Sequence, residues 1–281
     1  MNDAREPETT GRRTAPALDG SIPAGARYVR RDWVKVPEIG LWFWVAKVLS
    51  TGMGETASDF SVHVMDPAAA LACSGAGLAA SLALQFAVKR YVPWIYWTAV
   101  AMVSVFGTMA ADAVHVVLGV PYAASVLFFL AALAVIFVLW YRAEKTFSVH
   151  SVDTGRRETF YWATVLGTFA LGTAAGDWTA YSLDLGYLSS AAAFAVLIGV
   201  AGLVYWRGWL AAIPAFWVAY IITRPLGASF ADWTAVSPER GGLGWGTGVV
   251  TLVLAAFIGL VVAYLTRLGR PERHAPGLNR P

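Results

Sequence analysis

A single cysteine, Cys73, occurs in 281 residues, and it lies in an apolar run. That leaves no disulfide framework and no cysteine-based metal site. Charge is scarce at 14% of residues, and there are four histidines. Neither a glycine-rich phosphate loop nor a G-x-S-x-G elbow is found, so neither a P-loop pump nor an α/β hydrolase is indicated. No pattern suggests nucleic acid or an organic cofactor. In place of these the chain is 57% hydrophobic, with a mean hydropathy of +0.56. Such values exclude an ordinary soluble domain and point to a polytopic membrane protein.

Residues 1–36 are rich in Arg, Pro, Gly and Thr and hold no apolar core. They read as a disordered cytoplasmic tail rather than a signal peptide or a span. From 37 to 270 the apolar runs predict an eight-helix transmembrane domain. Its spans fall at roughly 40–64, 68–88, 93–117, 121–141, 159–183, 186–206, 208–233 and 244–266, punctuated by Asp66-Pro67, Pro93 and Pro121. The one long connection, 142–158, is charged, and residues 271–281 form a second tail. Of 21 Lys and Arg residues, 18 fall on one side of this scheme; Arg240 alone lies on the other, and Lys47 and Arg224 fall inside spans. The positive-inside rule then places both termini in the cytoplasm, within an inner membrane.

The spans repeat. Phe43-Trp44 is followed by Gly54 and Asp59, Tyr96-Trp97 by Gly107 and Asp112, Tyr161-Trp162 by Gly172 and Asp177, and Phe216-Trp217 by Gly227 and Asp232. The spacing is the same in all four copies, so one supersecondary unit has been copied four times. The units are about 37–90, 91–142, 156–207 and 208–268. Two spans per unit give every unit the same orientation. The expected fold is therefore all-α, four parallel two-helix repeats about a pseudo-four-fold axis, with the motif helices inside and plain apolar helices outside.

In these features the chain resembles a bacterial membrane-protein family built from four tandem two-helix repeats of unknown function, each with a characteristic tryptophan. The resemblance covers about residues 36–268. It extends to the segment from Glu144-Lys145-Thr146 through His150-Ser151 to Arg156-Arg157-Glu158. It implies the repeat fold and brings no established activity.

The motif residues suggest roles by depth. Trp44, Trp97, Trp162 and Trp217 are expected as interfacial anchors. Gly54, Gly107, Gly172 and Gly227 then lie near the midplane, for close packing or for a helix break, which Pro225 favours in the fourth repeat. Asp59, Asp112, Asp177 and Asp232 sit in the outer half of the membrane, where each carboxylate costs roughly 2.5–3.5 kcal/mol on insertion scales. Intramembrane acids are functional by default, and four at one depth predict a cation or proton site. Glu55, Thr108 and Thr173 add oxygen ligands, and His63 and His115 are possible imidazole ligands. Such a set suits a hard or borderline divalent cation such as Mn²⁺.

Lys47 is expected to snorkel to the cytoplasmic surface, and Arg224, eight residues before Asp232, to pair with it on one helix. The expected function is ion-coupled transport of a cation and not enzymatic catalysis, with the bilayer and the transported cation or proton as partners. The alternatives are an intramembrane metal-dependent hydrolase using His63 and His115, and a structural or assembly protein without transport.

Overall fold

The computed structural model describes residues 34–268. The predicted tail segments 1–33 and 271–281 lie outside the described residues. Eight long helices occupy most of the rest: α1 Leu41–Val64, α2 Pro67–Ala87, α3 Pro93–Asp112, α4 Tyr122–Glu144, α5 Gly155–Asp177, α6 Gly186–Trp206, α7 Ala212–Ala235 and α8 Thr247–Leu268. Local chemistry sets their starts. The Asp66 side chain accepts from the backbone N–H groups of Ala68 and Ala69 ahead of Pro67, Pro93 opens α3, and the Thr154 hydroxyl accepts from Arg157 N–H at the start of α5. Immediately after Asp112 and Asp177, α3 and α5 widen into single π-helical turns, Ala113–Val117 and Trp178–Ser182.

Five of the helices, α2, α3, α4, α6 and α8, are long and apolar enough to cross a membrane. Their outward faces carry large exposed apolar side chains such as Leu127, Val196 and Leu252, as lipid contact requires. Helices α1, α5 and α7 fall short of that apolarity because their polar residues line the protein interior: Lys47, Thr51, Glu55, Thr168, Thr173 and Arg224 are all buried.

The four motif helices touch in a closed cycle, α1 to α3 to α5 to α7 and back to α1. The second helix of each repeat does not stay with its own first helix. Instead α2 packs on α3, α4 on α5, α6 on α7, and α8 returns to cover α1. The two-helix repeat of the sequence is thus not the packing unit: the arrangement is staggered, the second helix of each repeat covering the first helix of the next.

On the side where the motif helices begin, the segment before α1 is held in place. Lys35 N–H donates to Val152 O at 3.1 Å, and its ammonium meets Glu158 Oε2 at 2.5 Å and Phe86 O at 3.2 Å. Gln85 Nε2 donates to the other oxygen of Glu158 at 3.0 Å. Lys35 and Val36, expected at the end of a disordered tail, are therefore packed and bonded. The 142–158 connection is ordered as well, with Glu144 bridging Arg156 at 2.5 Å and Arg157 at 2.6 Å, and Arg157 reaching Asp153 at 3.0 Å. Lys35→Met is expected to cost about 2–3 kcal/mol, the range for losing a charge-assisted bond to a buried acid. A melting temperature equal to wild type in detergent would show that the strap contributes nothing.

Candidate functional site

The register of the repeats explains how the interior is built. Three residues before the motif glycines stand Thr51, Ser104, Phe169 and Arg224; one residue after them stand Glu55, Thr108, Thr173 and Ala228. A Cβ added at Gly54 would collide with Ser104, one at Gly107 would lie 2.9 Å from Cβ of Phe169, one at Gly172 would collide with Arg224, and one at Gly227 would collide with Thr51. Each motif glycine thus receives the side chain three places before the glycine of the next helix in the cycle. The glycines pack helices against each other. The helices run through all four without the midplane break weighed from the sequence, and even Pro225 lies inside a continuous α7.

Arg224 reaches the other three repeats at once. Its Nη2 donates to Glu55 Oε2 at 2.5 Å, to Thr173 Oγ1 at 2.7 Å and to Thr108 Oγ1. These are the residues that follow the motif glycine in repeats one, three and two; the fourth repeat has Ala228 there. Arg224 is fully buried, and its Nε and Nη1 have no hydrogen-bond partner among the described residues. Its expected partner, Asp232, is not the residue it pairs with. Eight residues of α-helix span about 12 Å, so a neighbouring helix lies closer than the same face of α7.

Above this layer lie the aspartates. One carboxylate oxygen each of Glu55, Asp177 and Asp232, from three different motif helices, lie within 4.8 Å of one another. Asp232 is buried, whereas Asp59, Asp112 and Asp177 are half-buried. Asp59 and Asp112 stay outside the trio but within electrostatic reach of it and of Arg224. None of the four aspartates makes a side-chain hydrogen bond or ion pair with another described residue. An oxygen-ligated cation with bonds of about 2.4 Å spans up to about 4.8 Å between opposed ligands, so the trio has the spacing one ion can bridge.

The histidines do not join this cluster. His63 Nδ1 meets Asp59 O at 2.5 Å on its own helix, and His115 Nδ1 meets Val120 O at 2.6 Å while its ring stacks on Tyr122. Each ring bonds a backbone carbonyl through Nδ1, which leaves Nε2 open, but neither histidine is among the three residues whose ligand atoms converge within 4.8 Å.

Below the Arg224 layer the interior is aromatic. Lys47 is almost fully buried, with its ammonium 4.0 Å from the centre of the Phe169 ring and 4.1 Å from that of Tyr220. It has no hydrogen-bond acceptor among the described residues. Snorkelling is thus overturned: the side chain is held inside by two ring faces that attract a cation. Phe169 also lies 5.3 Å from the Arg224 guanidinium. Further down, Phe43, Tyr96, Tyr161 and Phe216 are buried, with the Tyr96 and Tyr161 hydroxyls 2.5 Å apart.

The tryptophans belong to this layer. Trp97, Trp162 and Trp217 are buried and Trp44 is half-buried, so the residues expected as interfacial anchors are packed within the protein. Trp217 donates its indole N–H to Phe147 O at 3.0 Å, joining α7 to the 142–158 connection. Sequence reasoning missed Phe169, Tyr220 and the inward course of Lys47. The signal was present in the register, since Lys47 and Tyr220 occupy the same place, three residues after the motif tryptophan.

Comparison with known families gives four tandem matches to one described as Repeat of Unknown Function (DUF347), at residues 42–91, 95–146, 160–208 and 215–271. No curated protein and no solved structure matches the chain.

Proposed function

The chain belongs to the DUF347 repeat family, and from that premise we propose that it is an ion-coupled membrane transporter for a cation, with a divalent metal such as Mn²⁺ as the first candidate. In this reading all eight helices cross the inner membrane with both termini in the cytoplasm, and the repeats surround a pseudo-four-fold axis. The distribution of basic residues supports that orientation. Placing α1, α5 and α7 across the bilayer is supported by their polar side chains facing one another inside the ring instead of lipid.

The observation that carries the reading is the convergence of Glu55, Asp177 and Asp232 within 4.8 Å. Three acids from three helices, at a depth where each is costly, gain most when a cation sits between them. Asp59 and Asp112 extend the negative field and draw the ion in from the outer side. The buried aromatic layer around Phe43, Tyr96, Tyr161 and Phe216 closes the interior on the cytoplasmic side, so this conformation receives cargo from outside. Alternating access then requires that layer to part while the acids are shielded.

The test is thermal stability of the purified protein against Mn²⁺, Mg²⁺, Ca²⁺, Na⁺ and pH. A ligand that binds only the folded state adds about 2.7 kcal/mol at one hundred times its dissociation constant. Asp177→Asn and Asp232→Asn are expected to abolish the cation response, with Asp59→Asn and Asp112→Asn reducing it, and all four to impair Mn²⁺ flux in proteoliposomes. A full cation response in Asp177→Asn and Asp232→Asn would remove the site from these residues.

A further inference from the structure

The Arg224 layer carries a role that acid convergence alone does not supply. A buried guanidinium normally engages several acceptors, because each unpaired donor in a low-dielectric interior is costly. Among the described residues one nitrogen, Nη2, makes all three side-chain bonds, while Nε and Nη1 have none. The side chain is fully buried, its stem fills the space left by Gly172, and its charged end meets Glu55 at the edge of the acid trio. Among the four equivalent positions Thr51, Ser104, Phe169 and Arg224, only the last is charged. The group opposite it in its own repeat is Ala228, with nothing to donate or accept from a side chain. A permanent positive charge thus sits where three repeats present oxygen atoms, held by one of its three nitrogens.

We propose that Arg224 is a tethered counter-cation, which neutralises Glu55 while the site is empty and is displaced from Glu55 when the cargo cation binds. This inference rests on the cation-transport reading. Glu55 is the shared group: its carboxylate belongs both to the ion pair and to the trio with Asp177 and Asp232. Arriving cargo competes with the guanidinium for it, which lowers affinity and allows release. The empty carrier is not left with a bare buried acid, so it can change conformation without cargo. A transporter built this way carries out net flux. Without the arginine, the empty site becomes the unfavourable state, and the carrier moves only when loaded.

Two flux modes separate these cases. Mn²⁺ binding is read by loss of the free-ion paramagnetic resonance signal, and transport by proteoliposome uptake in two forms, net influx into empty vesicles and exchange into vesicles preloaded with Mn²⁺. Arg224→Met keeps the alkyl stem that packs on Gly172 and removes the charge. It is expected to bind Mn²⁺ at least tenfold more tightly, to keep exchange, and to lose net influx at least tenfold. In Arg224→Ala, millimolar guanidinium chloride is expected to weaken Mn²⁺ binding and restore net influx, where the same concentration of NaCl does neither. Should Arg224→Met not fold, the guanidinium experiment alone decides.

Unchanged or weaker Mn²⁺ binding in the variants, or net influx that survives loss of the charge, overturns the counter-cation role while leaving the cation site standing. Mn²⁺ that binds neither wild type nor the variants overturns the Mn²⁺ site itself.

Discussion

Glu55→Gln is expected to destabilise the folded protein by about 3–5 kcal/mol, because it leaves the Arg224 guanidinium buried without its counter-charge. Arg224 has no exposed surface, and among the described residues Glu55 is its only ion-pair partner, at 2.5 Å. The threonines Thr108 and Thr173 can accept from the guanidinium but cannot neutralise it. The double variant Glu55→Gln/Arg224→Met removes both charges and is expected to recover most of the loss, since a buried pair replaced by neutral groups of similar volume is often near neutral in stability. Melting in detergent for the wild type, both single variants and the double variant closes the cycle. Additive losses, with the double variant the least stable of the four, would show that the two side chains do not act as a pair.

Substitution at the motif glycines has the other large effect. Gly54→Val and Gly227→Val are each expected to cost about 3 kcal/mol or more, because even a Cβ there would overlap Ser104 or Thr51 of the adjoining helix. The helices can relieve the overlap only by moving apart, which opens the contact cycle at one seam. Gly199→Val on α6 is the control, since nothing lies within 4 Å of a Cβ built there; it should retain wild-type yield and a monodisperse elution profile. If Gly54→Val and Gly199→Val behaved alike, close packing at the motif glycine would not be what maintains the ring.

Much of the helical plan could be read in advance. Apolar runs broken by Asp66-Pro67, Pro93 and Pro121 place α2, α3 and α4 to within a few residues, because those residues act on the chain locally. The glycine packing was legible as one of two readings. Partnership across helices was not. The residues that meet Arg224 lie 51, 116 and 169 positions away, and helical periodicity states which face a residue occupies without stating which helix faces it. The same limit hid the course of Lys47: a long amine near a helix start snorkels when lipid surrounds it, but here Phe169 and Tyr220 surround it. The tryptophans were misplaced laterally for a related reason. Depth can be counted from spacing, whereas facing lipid or protein depends on neighbours that the repeat alone does not name.

The staggered packing of the second helices has a consequence for synthesis. The unit that was duplicated and the unit that packs are offset by one helix: the chain repeats as α1–α2, yet α2 belongs with α3, and α1 waits for α8. When seven of these helices have been made, the flank of α1 that α8 covers is still bare, and the last of the eight closes it. The first three second helices pack on the helix that follows each of them, whereas α8 reaches back to the earliest of the eight, so the seam between α1 and α8 closes only once all eight are present.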